Sequence, residues 1–134
     1  GVYWASVVAT GMDNALRIRV YGTKGSIEWA QEDCENLHII DQNNTRRILR
    51  RGSALFPEEV ACEARTPAGH PEGYLEALGN LYRNIARAIR QGNDEGCLYP
   101  HAADGVEAID FVDRVVWSSE HGNVWVDMNA PLTE

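Results

Sequence analysis

The stretch Leu16-Arg17-Ile18-Arg19-Val20-Tyr21-Gly22-Thr23-Lys24-Gly25-Ser26-Ile27-Glu28-Trp29 decides the fold class of this 134-residue chain. Leu16, Ile18 and Val20 alternate with Arg17, Arg19 and Tyr21, a period of two that belongs to a strand with one apolar face. Gly22-Thr23-Lys24-Gly25 is a short connection of turn residues, and Ser26 to Trp29 resumes strand character. The stretch therefore predicts an antiparallel hairpin. A Gly-Thr-Lys-Gly run invites a phosphate-loop reading, but that loop needs a following helix whose N–H groups converge on phosphate. Here a strand follows.

Working outward, Val2 to Ala9 is rich in β-branched and aromatic residues and predicts a strand, with Val2, Trp4 and Val8 on one face and Tyr3, Ala5 and Val7 on the other. Gly11-Met12-Asp13-Asn14 supplies the turn after it. Leu37 to Asp41 and Thr45 to Arg50, joined by Gln42-Asn43-Asn44, predict another hairpin. With Val124-Trp125-Val126 as a last short strand, the sheet is expected to hold about five to six mostly antiparallel strands. Arg51 to Gly69 is irregular and reads as a long loop with one helical turn near Pro57 to Ala61; long ordered loops in compact domains are often functional.

The second half is helical. Tyr74, Leu78, Leu81, Tyr82, Ile85 and Ile89 make one apolar stripe. Pro71 suits the first helical position and Gly92 the C′ position. A second helix is expected from about Ala102 to Glu120, burying Ala108, Ile109, Val112 and Val116. Strands first and helices afterwards indicate an α+β fold, with two long helices packed on one face of the sheet. Trp4, Trp29, Tyr21 and Tyr3 cannot all point to that face, so the other is expected to pack against a protein partner.

Composition narrows the function. A formal net charge of −8 argues against a nucleic-acid surface. Arg46-Arg47 with Arg50-Arg51 is the basic cluster, and it reads as a solvated face. No apolar run approaches the roughly 20 residues needed to span a bilayer, and no signal peptide opens the chain. Cys34, Cys62 and Cys97 form no CxxC pair, which leaves neither zinc site nor disulfide framework and suits free thiols in a reducing cytoplasm. Gly1 leads straight into the strand-like Val2 to Ala9, so the chain is expected to be a piece of something longer.

Three blocks carry a resemblance: Leu16 to Trp29; Gly69-His70-Pro71-Glu72-Gly73-Tyr74-Leu75-Glu76-Ala77; and Tyr99-Pro100 with Asp104-Gly105 at the head of the last helix. In this order and spacing the chain resembles the C-terminal domain of the Gfo/Idh/MocA family of NAD(P)-dependent oxidoreductases. The resemblance covers nearly the whole chain and implies a single substrate-side and oligomerisation domain, residues 1–134. It implies that the intact enzyme is an NAD(P)-dependent sugar or polyol dehydrogenase, in which an N-terminal Rossmann domain holds NAD or NADP beside a small sugar-like substrate. It also implies a homo-oligomer built through the open sheet face. The family's catalytic Lys in a Glu-Lys-Pro segment has no counterpart here, since Lys24 sits in a hairpin. No catalytic, cofactor-binding or metal-binding residue is therefore expected in this chain, and dinucleotide binding cannot be read from it without a G-x-G-x-x-G. A non-catalytic α+β dimerisation or ligand-binding module is the alternative.

His70 is the candidate substrate-binding residue. At a helix start after a long loop, an imidazole and backbone donors can meet a polar ligand; equally, such a His can cap or pack there. Glu72 and Glu76, one turn apart, either pair for acid–base work or complement the helix dipole. His101 stands where the family has Thr after Tyr-Pro, which weakens an N-cap that Asp104 would complete. His38 and His121 have no metal-ligand neighbour in sequence, and the helix dipole accounts for His121.

Overall fold

The computed structural model describes residues 1–132 and divides the chain into two compact units, Gly1–Tyr82 and Arg83–Glu134. The first unit holds a four-stranded antiparallel meander: β1 (Arg17–Gly22), β2 (Gly25–Ala30), β3 (Asn36–Asp41) and β4 (Arg46–Arg50), in that order across the sheet. Each strand pairs with its neighbour in sequence, so short turns specify the whole topology. At the first turn neither Thr23 nor Lys24 takes a positive φ; Gly25, at φ +155°, absorbs the mismatch with the strand twist. A Cβ there would lie 2.5 Å from the carbonyl oxygen of Ile40, so only glycine fits. At the second turn the Asp41 carboxylate accepts from the N–H groups of Asn43 and Thr45, 2.9 and 3.0 Å away, while Asn44 sits at φ +60°.

Register assigns the faces. Ile18 opposes Trp29, Val20 opposes Ile27, Ile27 opposes Ile39 and Leu37 opposes Leu49, which makes one face apolar except for Arg47, opposite Ile39. The other face carries Arg17, Arg19, Tyr21, Glu28, His38, Ile40, Arg46, Ile48 and Arg50. Trp29 and Tyr21 do point to opposite sides. The second face is mixed, with four arginines beside Tyr21, Ile40 and Ile48.

The strand count falls below the expected five to six. Val2 to Ala9 forms no strand; Val2, Val7 and Val8 are almost fully exposed, and the chain turns at Ala9–Met12 through a 3.1 Å hydrogen bond. Strand propensity in this segment is high, but a strand exists only where a neighbour takes its N–H and C=O groups. Among the described residues nothing pairs with the free edge of β1. Val124–Val126 is likewise no strand. Its chain is held instead by Ser118 Oγ donating to Val124 O at 2.6 Å, and by Arg114 Nη1 donating to the carbonyls of Asp127 and Ala130, each at 2.8 Å.

After the sheet come a single turn, α1 (Glu58–Ala61), and two long helices, α2 (Tyr74–Gln91) and α3 (Ala102–Glu120). The turn falls where Pro57 to Ala61 predicts it. The start of α2 does not: the helix begins at Tyr74, three residues beyond Pro71, with Gly73 O accepting its first bond from Ala77 N at 2.9 Å. The end agrees, with Gly92 at φ +72° donating to Ala88 O. On α2, Asn84 and Ala88 are buried and Leu78 is half-buried. Ala108, Ile109, Val112 and Val116 of α3 are exposed rather than buried. Val106, Phe111 and Val115 are also apolar and exposed, so apolar residues run round α3 and define no single inward stripe.

Candidate functional site

The site grows from the way β3 begins and β4 ends. Asn36 opposes Arg50 in the ladder, and the pairing extends one residue further through Arg51 N donating to Glu35 O at 2.8 Å. Arg51 is thereby delivered beside Glu35 at the point where the chain leaves the sheet. Its Nε is shared between the two Glu35 oxygens, at 3.0 and 3.1 Å. Its Nη1 donates to the Thr66 carbonyl at 2.8 Å and lies 3.1 Å from Glu72 Oε2, and its Nη2 donates to the His70 carbonyl at 2.5 Å. One planar cation therefore grips the two ends of the Thr66–His70 turn and two carboxylates. This use of all three guanidinium nitrogens is beyond a lysine.

Glu72 is the second hub. Its carboxylate accepts from Arg65 N at 2.9 Å, Thr66 N at 2.7 Å and Thr66 Oγ1 at 2.9 Å, and its own N–H donates to Glu35 Oε1 at 3.1 Å. The side chain is only 7% exposed. Burial works to raise its pKa, but the Thr66 and Arg65 amides, the Thr66 hydroxyl and the Arg51 charge outweigh it and hold the carboxyl below its ordinary 4.5. Cys34 Sγ donates to the Glu72 carbonyl at 3.2 Å, and Trp29 Nε1 donates to the Cys34 carbonyl at 3.1 Å, so the apolar face of the sheet is tied to the same segment. Glu76 does something separate. It accepts from Gly73 N at 2.8 Å, the N3 half of a capping box, and that bond lowers its pKa. Glu72 and Glu76 thus form no acid–base pair: one closes a loop and the other caps α2.

His70 lies on the Thr66–His70 turn, three residues before the cap rather than at the helix start itself. Its N–H donates to Pro67 O at 3.1 Å and its carbonyl accepts from Arg51 and from Thr66 Oγ1 at 3.3 Å. The backbone is held on both sides while the ring stays exposed, with Nδ1 3.3 Å from Pro67 O. A polar ring on a fixed backbone suits ligand contact. Capping is not its role here, because Gly73 and Glu76 fill it.

Next to this network, loop residues 52–64 and α1 border a cleft of about 460 Å³ against the apolar sheet face, lined by Trp29, Leu37, Leu49, Arg51 and Phe56. Arg51, Glu35 and Thr66 were not legible as site residues. Arg51 sits in a run of four arginines that reads as a solvated face, and that reading is right for Arg46, Arg47 and Arg50 only, since the Arg51 side chain is 17% exposed.

The remaining histidines separate from this site. His101 opens α3, where Asp104 Oδ2 accepts from its N–H at 2.6 Å, so the acidic half of the capping box persists without Thr. Its ring lies 4.8 Å from that of Tyr99 and 3.6 Å from Asp94. His121 stacks on Trp117 at 4.0 Å and meets the Trp117 carbonyl at the end of α3. His38 Nε2 lies 3.8 Å from Asp33, which is too long for a hydrogen bond. Among the described residues no group of three or more His, Cys, Asp or Glu comes together to hold a metal, and Cys34, Cys62 and Cys97 are free thiols. The Gly22–Gly25 turn joins two strands, so it is a hairpin connection and not the strand-to-helix turn of a phosphate loop. No helix here is long and apolar enough to cross a membrane, among the described residues.

In chain order an antiparallel meander, a loop holding a charged hub and two long helices make an α+β fold, and the loop presents a polar side chain. The chain belongs to the Gfo/Idh/MocA oxidoreductase family: residues 1–128 match its model, described as the oxidoreductase family C-terminal alpha/beta domain. It is 32% identical over 133 residues to the uncharacterized oxidoreductase YfiI of Bacillus subtilis (strain 168), covering 95% of this chain and 34% of that protein. An oxidoreductase from Sinorhizobium meliloti superposes with a TM-score of 0.84 at 42% identity, over 90% of this chain and 34% of that one. An inositol dehydrogenase homolog from Azotobacter vinelandii, solved with NADH and myo-inositol, superposes with a TM-score of 0.85 at 36% identity, over 92% and 34%. The chain spans about a third of the length of the relatives it matches.

Proposed function

We propose that residues 1–134 act as one C-terminal domain of an NAD-dependent polyol or sugar dehydrogenase, walling the substrate pocket beside a nicotinamide held by an N-terminal Rossmann domain. The observation that carries this is the 36% identity, over 92% of the chain, to the inositol dehydrogenase homolog whose structure holds NADH and myo-inositol. The division of labour follows from chemistry. These residues present an exposed imidazole on a backbone gripped by Arg51. His70 is the group that meets a substrate hydroxyl, where a ring nitrogen can donate or accept according to its tautomer.

Assembly is proposed through the sheet. Ile18 and Val20 are each 52% exposed and Ile27 41%, all on the apolar face. Such a face suits an isologous contact with a second copy. Three free thiols fit a reducing cytoplasm.

The test uses the full-length enzyme with NAD+ and a panel of polyols and sugars, following reduced nicotinamide. His70→Ala should lower kcat/KM by roughly 10- to 100-fold, the worth of one polar contact of about 1–3 kcal/mol. No NAD-dependent turnover on any member of the panel would defeat the dehydrogenase reading, and an unchanged kcat/KM in His70→Ala would remove His70 from the pocket. Light scattering on the same preparation, with Ile18→Asp and Val20→Asp beside the wild type, tests the assembly. A wild type that is already monomeric would defeat it.

A further inference from the structure

We propose that Arg51 is a positioning residue for His70, acting through the backbone rather than on substrate; this rests on the reading that His70 meets substrate. The two ends of the Thr66–His70 turn are joined to one guanidinium: Nη1 holds the Thr66 carbonyl at 2.8 Å and Nη2 holds the His70 carbonyl at 2.5 Å. Between them lie Pro67, Ala68 and Gly69, the last at φ +88°, and the turn's own ties are His70 N to Pro67 O at 3.1 Å, Thr66 Oγ1 to the His70 carbonyl at 3.3 Å and His70 Nδ1 to Pro67 O at 3.3 Å, all longer than the two Arg51 bonds.

The guanidinium is itself tied at each nitrogen. Nε is bound to Glu35, Nη1 also faces Glu72, and the three side chains are 17%, 21% and 7% exposed. Glu35 in turn is anchored to the sheet by the Arg51 N–H on its carbonyl. Glu72 is anchored to the far side of the turn by the Arg65 and Thr66 amides. A rigid chain of contacts thus runs from the β3–β4 ladder through Arg51 to the His70 carbonyl. A displacement of about 1 Å at a contacting group can cost as much as 100-fold in rate. Arg51 therefore decides where the imidazole stands without touching what it binds.

Arg51→Lys separates placement from folding. The ammonium keeps the charge opposite Glu35 and Glu72 but cannot hold both carbonyls. Amide hydrogen exchange of the chain should speed up about tenfold at His70, which is a local opening, while the amides of β1 to β3 keep their protection. Unchanged exchange at His70, or a parallel loss across the sheet, would overturn the proposal. Should Arg51→Lys fail to fold, the wild type decides. Its Arg51 Nη protons should give separate, slowly exchanging resonances with through-space contacts to Thr66 and His70, and averaged resonances would overturn it.

In the full-length enzyme, with a polyol that it turns over, Arg51→Lys should lower kcat/KM, and the double variant Arg51→Lys/His70→Ala should be no worse than His70→Ala alone. Losses that multiply would overturn it. If His70→Ala is itself without effect, or if no polyol is turned over, the substrate reading falls by itself, and the exchange experiment still decides whether Arg51 places His70.

Discussion

The sheet and the loop that follows it are ordered by different physics. From Arg17 to Arg50 every strand pairs with the next in sequence, and backbone hydrogen bonds do the work. From Arg51 to Gly73 the only regular structure is the four-residue α1, and the segment is held instead by side chains: Arg51 to Glu35, Thr66 and His70, and Glu72 to Arg65 and Thr66. A ladder spreads its stability over many equivalent bonds and tolerates the loss of one. A hub concentrates it in a few charged groups, each of which is costly to remove once buried.

The largest effect should therefore come from the loop. Glu72→Ala strips acceptors from two amides and a hydroxyl and removes one carboxylate from Arg51, and should cost about 3 kcal/mol in denaturant unfolding. A cost below that of a surface substitution would mean that the hub holds nothing. Acid sharpens the contrast. The folded pKa of Glu72 lies below 4.5, so its contribution is complete above the unfolded value and is lost as pH falls through the folded one. Exchange in residues 65–73, corrected for intrinsic rate, should rise at that step before the β2–β3 amides respond, and Glu72→Gln should remove the step.

In the sheet, the sensitive position is a backbone one. Gly25→Val forces a β-branched residue to φ +155° with its Cβ against the Ile40 carbonyl, and should cost about 2 kcal/mol by thermal unfolding. The smallest effect should be at the exposed edge. Arg17 and Glu28 lie 3.7 Å apart with the Arg17 side chain 59% exposed, so Arg17→Ala should change stability by about 0.5 kcal/mol or less. A loss of the Glu72 size there would erase the distinction between ladder and hub.

Much of the fold was legible along the chain, because its determinants are local. The alternation from Leu16 to Tyr21, the Gly22–Gly25 connection and the Asp41–Asn44 turn specify two hairpins, β1–β2 and β3–β4, without reference to anything distant. Pro57 marks the start of α1 and Gly92 the end of α2 for similar reasons. His70 could be singled out by residue type and by its place before an apolar stripe.

What the chain alone left undecided depends on neighbours. Val2 to Ala9 has the composition of a strand, and only the absence of a paired edge among the described residues shows that it is not one here. Pro71 looks like a helix start, but Glu72 is committed to Arg65, Thr66 and Glu35, and α2 cannot begin until Gly73 and Glu76 close its cap. Arg51 reads like Arg50 in sequence. It differs because pairing of Asn36 with Arg50 carries Arg51 to Glu35, and the Arg51 guanidinium then reaches residues 15 and 19 positions further along. Periodicity and turn chemistry act over a few residues and are written in the sequence. A half-buried charge acquires its role from partners that only the folded chain brings within about 3 Å, and it was there that the tertiary structure decided.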